Sequence, residues 1–116
     1  MNRSQLEQVV CNLVVNAFDA VSLDGSVGLT VAPGEGETVL LVVRDDGPGI
    51  PDHLRTHIFE PFFTTKGSTH GTGLGLPTVR AIVEDAGGGV QFTTGPSGTT
   101  FEVVLPCAAA PERARA

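Results

Sequence analysis

Along the N-terminal stretch the apolar residues fall three or four positions apart, at Leu6, Val9, Val10, Leu13, Val14, Ala17 and Val21. That spacing repeats once per helical turn and lines one face. Ser4-Gln5-Leu6-Glu7 has the form of a capping box ahead of the run, so the pattern predicts a helix from about residue 4 to 22. Asp24-Gly25 ends it, and the character of the chain then changes. Val27 to Val31 and Thr38 to Arg44 are rich in β-branched residues and flank Pro33-Gly34-Glu35-Gly36, which predicts a β-hairpin. Asp45-Asp46-Gly47-Pro48-Gly49 is too rich in glycine and proline for regular structure. Pro51 to Ile58 reads as one short helix, followed by a loop to His70 that is long enough to be expected to move.

Helical spacing returns near Gly75, with Leu76, Val79, Ile82, Val83 and Ala86 on one face, and stops at Gly87-Gly88-Gly89. Val90 to Thr94 and Thr99 to Leu105, joined by Gly95-Pro96-Ser97-Gly98, predict a second hairpin. Residues 107–116, Ala-rich and charged, are expected to form a flexible tail to a domain over 1–106. Helices interleaved with hairpins predict an α/β two-layer sandwich, with a mixed, largely antiparallel sheet and helices packed on one face.

The length of 116 residues suits one domain with one core. A net charge of −6 argues against a nucleic-acid partner, which needs clustered Lys and Arg, so any bound nucleotide must be held locally. Cys11 and Cys107 lack the C-x-x-C spacing of a metal or redox site and are expected to be inert thiols. The apolar stretches are of strand length and no basic leader precedes them, so the expectation is a cytoplasmic domain without direct membrane contact.

Candidate chemistry sits in four places. Gln8, Asn12, Asn16 and Asp19 form a polar stripe along the first helix, unusual for a solvated face because asparagine is a poor helix former. An asparagine oxygen is a hard, uncharged ligand suited to Mg²⁺ already shared with phosphates. Asp45 closes a strand and opens the glycine-rich turn, where its carboxylate could accept from an amine such as that of adenine and would repel the carbonyl of guanine. The same Asp-x-Gly-Pro-Gly run is also simply a good turn. Gly71-Thr72-Gly73-Leu74-Gly75-Leu76 leads into the second helix, where free N–H groups and the dipole would favour phosphate. Its spacing is neither G-x-G-x-x-G nor G-x-x-x-x-G-K-[ST], so the Rossmann and P-loop readings fail. Ile58-Phe59-Glu60-Pro61-Phe62-Phe63 places three aromatics in a polar region, as a hydrophobic anchor for a moving flap would. Lys66 behind them could swing onto a phosphate or remain a solvated loop lysine.

In this order the segments resemble the ATP-binding domain of histidine kinases, within the superfamily shared with gyrase, Hsp90 and MutL. Asn12 to Ala17 resembles the N box, Asp45 to Gly49 the G1 box, Ile58 to Phe63 the F box, Gly71 to Leu76 the G2 box, and Gly98-Thr99-Thr100-Phe101 the last glycine-threonine motif. The run from Phe62 to Lys66 and Pro77 are similar to the nitrogen-regulation subgroup. The resemblance implies a Bergerat-type fold in which Asn16 coordinates Mg²⁺, Asp45 binds the adenine amine, Thr99 supports Asp45, and Gly73, Leu74 and Gly75 offer amides to the phosphates. It also implies that Asp19, Gly47, Gly49, Ile50, Phe59, Lys66, Thr72 and Leu76 line the nucleotide.

Hydrolysing members carry a general-base glutamate where this chain has Asn12, and an amide cannot take a proton from water. The expected activity is therefore transfer of the γ-phosphate of ATP to a histidine, with Asn12, Asn16 and Lys66 in the catalytic set. That histidine would belong to a dimerisation domain of the same or a partner kinase, with a response regulator acting downstream. His53, His57 and His70 lack the family's His-Glu context and are expected at the surface. Two other readings stay open: a non-catalytic nucleotide-gated module that binds a protein partner, and a conformational ATPase of the gyrase or Hsp90 kind.

Overall fold

The computed structural model describes residues 1–21, 24–61 and 75–106. Helix α1 spans Arg3–Ala20, strand β1 Val27–Pro33, β2 Thr38–Asp45, helix α2 Gly75–Asp85, β3 Gly89–Gly95 and β4 Gly98–Pro106. The strands form one sheet in the order β1-β2-β4-β3. Every pairing among these strands is antiparallel, so the largely antiparallel sheet expected from the pattern has no parallel neighbour among the described residues.

The start of α1 departs from expectation in detail. Asn2, not Ser4, caps it: its Oδ1 accepts from Gln5 N–H at 2.8 Å while Gln5 Oε1 accepts from Asn2 N–H at 3.0 Å. Asn caps as well as Ser does, and the earlier start adds hydrogen bonds to the same helix. Residues 51–60 also differ from the single short helix expected. A 3₁₀ turn at Asp52–Leu54 is followed by further tight turns, with Leu54 N–H donating to Pro51, Arg55 to Asp52, His57 to Leu54 and Glu60 to His57. Each bond closes three residues back instead of four, the geometry of short connectors. That winding turns Ile58 inward, where it is 8% exposed.

Side chains alternate across a strand, so one face of the sheet collects Leu41 and Val43 from β2 with Phe101 and Val103 from β4. Val9, Leu13 and Ala17 of α1 and Val79 and Val83 of α2 cover them, completing the core with Ile58. Each fully buried Val or Leu contributes about 1.5–3 kcal/mol relative to exposure, which makes this layer the main source of stability. Gly88 N–H, donating to Val83 O at 2.9 Å, closes the end of α2. Strand β1 lies at the sheet edge, and its Leu29 and Val31 stay exposed although they sit opposite buried Val43 and Leu41.

Candidate functional site

The central ladder ends where the chemistry begins. Asp45 is the last residue of β2 and the register partner of Thr99 in β4, and both are buried, at 4% and 5% exposure. Burying a carboxylate is costly unless hydrogen bonds replace water. Asp45 Oδ1 accepts from Gly47 N–H at 2.9 Å. No donor among the described residues reaches the other oxygen.

The turn that follows is locked by close approaches. A Cβ at Gly47 would lie 2.5 Å from Ala20 O at the end of α1. Gly49 has φ +84°, and a Cβ there would collide with Gly95 O at the β3–β4 hairpin. Only glycine tolerates both the crowding and the left-handed backbone at Gly49. Beyond it, Ile50 N–H donates to Thr94 Oγ at 2.8 Å, and Thr94 Oγ lies 2.8 Å from Thr99 Oγ. Arg55 Nε holds Ile50 O at 3.0 Å while its guanidinium pairs with Asp52 at 2.7 Å.

Helix α1 brings the second set. Asn12, Asn16 and Asp19 recur along it, Asn12 and Asn16 half-buried and Asp19 exposed. Asn12 Nδ2 donates to Gly75 O at 3.3 Å, tying the helix to the first residue of α2. The amide expected to replace a general base is therefore also a brace for the start of α2. Leu76 packs against the core. Phe59 does too, its ring centroid 6.2 Å from that of Phe92 and 6.4 Å from that of Phe101, with the Arg80 guanidinium 5.4 Å from the ring centre. Asp45, Gly47, Gly49, Ile50 and Thr99 thus form one cluster, and Asn12 joins Gly75 beside Asn16. Lys66, Thr72, Gly73 and Leu74 lie outside the described residues. His53 and His57 are exposed, as is the free thiol of Cys11.

Thr94 was not among the candidates, although a signal for it existed. The hairpin joining β3 to β4 makes it the cross-strand partner of Thr99. As a β-branched residue in a strand it reads as ordinary sheet.

A buried carboxylate thus keeps one oxygen to spare, beside a glycine turn packed against the end of α1 and the β3–β4 hairpin. Comparison places the chain within a family. Residues 1–109 match the histidine kinase-, DNA gyrase B- and HSP90-like ATPase family, and the chain belongs to it. It is 43% identical over 120 aligned residues to the sensory histidine kinase/phosphatase NtrB of Rhizobium leguminosarum bv. phaseoli, covering 90% of this chain and 31% of that protein. It is 44% identical over 106 residues to the C4-dicarboxylate transport sensor protein DctB of Rhizobium meliloti, covering 90% of this chain and 17% of that protein. The chain therefore spans less than a third of the length of these curated relatives.

Among solved structures, the mycobacterial sensor histidine kinase MprB superposes with a TM-score of 0.81 at 34% identity, over 91% of this chain and 74% of that one. The nucleotide-free catalytic domain of histidine kinase ThkA superposes with a TM-score of 0.79 at 40% identity, over 90% and 68%. The fold is thus that of the catalytic domains of sensor histidine kinases, and the chain is an ATP-binding domain of this type. No described helix is long and apolar enough to cross a membrane.

Proposed function

We propose that this chain binds Mg²⁺·ATP and transfers the γ-phosphoryl group to a histidine on a dimerisation domain, of the same or a partner kinase, in cytoplasmic two-component signalling. The observation that carries the reading is Asp45, a buried carboxylate with one oxygen bound by Gly47 N–H and the other left for the amine of adenine. Residues fit the rest of the nucleotide in kind. Asn16, half-buried one turn beyond Asn12, would offer Mg²⁺ a single neutral oxygen, sufficient when phosphates supply the remaining ligands. Gly75, at the first turn of α2, would present its amide to the phosphates together with Thr72, Gly73 and Leu74, and Lys66 would add charge.

Asn12 favours transfer over hydrolysis. Its amide donates to Gly75 O and has no basic atom with which to activate water. In the transfer, a histidine ring nitrogen displaces ADP from the γ-phosphorus, giving phosphohistidine, with a response regulator as the next acceptor. Catalysis then rests on positioning and charge stabilisation. The domain would occupy residues 1–106, with 107–116 as a tail.

Calorimetric titration with a non-hydrolysable ATP analogue, with and without Mg²⁺, tests binding. Mixing the chain with a histidine-bearing dimerisation domain and ATP then tests transfer, with acid-labile phosphate on that domain as the expected product. Steady Mg²⁺-dependent phosphate release without an acceptor would instead favour a conformational ATPase. Binding without transfer to a panel of such domains would favour a nucleotide-gated binding module.

A further inference from the structure

Thr94 belongs to none of the motifs, yet it joins three of the elements that build the base-binding end of the site. A hydroxyl has one proton and two acceptor lone pairs. One lone pair of Thr94 Oγ takes Ile50 N–H at 2.8 Å, and the group shares a second hydrogen bond of 2.8 Å with Thr99 Oγ. Thr99 in turn stands opposite Asp45 in the ladder, on the same face of the sheet. When Thr94 donates to Thr99, the Thr99 proton is directed elsewhere; when Thr94 accepts, the Thr99 lone pairs are what remain. In either orientation Thr94 decides what the Thr99 hydroxyl can offer a ligand beside Asp45.

Its second effect is on the backbone. Ile50 is gripped at its N–H by Thr94 and at its carbonyl by Arg55, so the exit of the Asp45-to-Gly49 turn is fixed against β3 and against the 3₁₀ turn. Gly49 runs so close to Gly95 O that a Cβ there would collide with it, which sets the residue before Ile50 beside the residue after Thr94. Valine at position 94 would keep the shape and leave Ile50 N–H without its acceptor.

We propose that Thr94 is a positioning residue for recognition of the base, acting through Thr99 on the hydroxyl beside Asp45 and through Ile50 on the turn that carries Gly47 and Gly49. This rests on the reading that an adenine nucleotide binds at Asp45. The test uses the full chain with Thr94→Val, which removes the hydroxyl, and Thr94→Ser, which keeps it. Each is titrated with ADP and with inosine diphosphate, which carries a 6-oxo group in place of the adenine amine, and each is melted thermally.

Thr94→Val should bind ADP about tenfold more weakly, the loss expected when a part-buried N–H is left without its acceptor. The ratio of ADP to inosine diphosphate affinity should fall with it, and Thr94→Ser should restore both. A merely structural tie would weaken the two nucleotides equally and leave the ratio where it was. That outcome overturns the proposal, as does unchanged ADP affinity in folded Thr94→Val or failure of serine to rescue. Where Thr94→Val is unfolded at the assay temperature, Thr94→Ala carries the same comparison. A wild-type chain that is folded but binds no ADP overturns the reading of the site itself, and is distinguished by needing no variant to appear.

Discussion

Consider Asp45→Asn. Asparagine keeps the shape of the side chain and one oxygen, so the bond from Gly47 N–H, 2.9 Å in the wild type, can persist. What changes is the second terminal atom, from a carboxylate oxygen that accepts to an amide nitrogen that donates. Facing the amine of adenine, that nitrogen sets donor against donor. Hydrogen bonds to a charged group contribute about 1.5–3 kcal/mol, so affinity for an ATP analogue should fall by about 10- to 150-fold. Stability should move the other way or not at all. At 4% exposure the wild-type carboxylate is a buried charge with one protein partner, and neutralising it removes a desolvation penalty. Calorimetric titration beside a thermal melt separates the two effects. Affinity within twofold of wild type would refute the assignment of the base to Asp45. A fall in affinity matched by a fall in Tm would show that Asp45 works through the fold.

Gly49→Ala should destabilise by about 1–3 kcal/mol, because alanine must adopt φ +84° with its Cβ driven into Gly95 O; urea denaturation reads the loss. Leu13→Ala empties a fully buried position between α1 and the sheet and should cost about 2–5 kcal/mol in the same assay, with nucleotide binding intact wherever the variant remains folded. Removing Mg²⁺ with a chelator should weaken binding of an ATP analogue, and Asn16→Ala should abolish most of that Mg²⁺-dependent increment while leaving Mg²⁺-free binding close to wild type. Equal loss with and without Mg²⁺ would remove Asn16 from the metal's coordination.

The elements that were legible in the sequence are those whose burial repeats with a fixed period. Val9, Leu13 and Ala17 mark α1 because one face of a long helix is wholly covered, and Leu41 and Val43 mark β2 because alternate residues face the same layer. Residues 51–60 escaped because a chain of three-residue turns has no period of its own; Ile58 is buried by where the turns lead. The N-cap moved by two residues because Asn2-Arg3-Ser4-Gln5 and Ser4-Gln5-Leu6-Glu7 both satisfy the capping pattern, and choosing between them takes geometry. Asp45, Gly47 and Gly49 could be found because turn chemistry is local. The bond from Asn12 to Gly75 could not, since residues so far apart in the chain meet only through packing of α1 on α2. Thr94 fell between these cases: its partner Thr99 was predictable from the hairpin, but its bond to Ile50 depends on where the glycine turn comes to rest.

The pairing of β2 with β4 has a consequence for how the molecule assembles. β1 with β2, and β3 with β4, are hairpins that can close early, since each joins neighbours in sequence. The ladder between β2 and β4 must instead close across all the chain that separates them, at a larger entropic cost. Asp45 and Thr99 are an end pair of that ladder, so the proposed base-binding end depends on a pairing that neither hairpin supplies alone. A nucleotide bound there, as proposed, would act as a clasp on the seam between the two hairpins. Amide hydrogen exchange along the β2–β4 seam should therefore slow on ligand binding more than exchange within the outer β1–β2 hairpin.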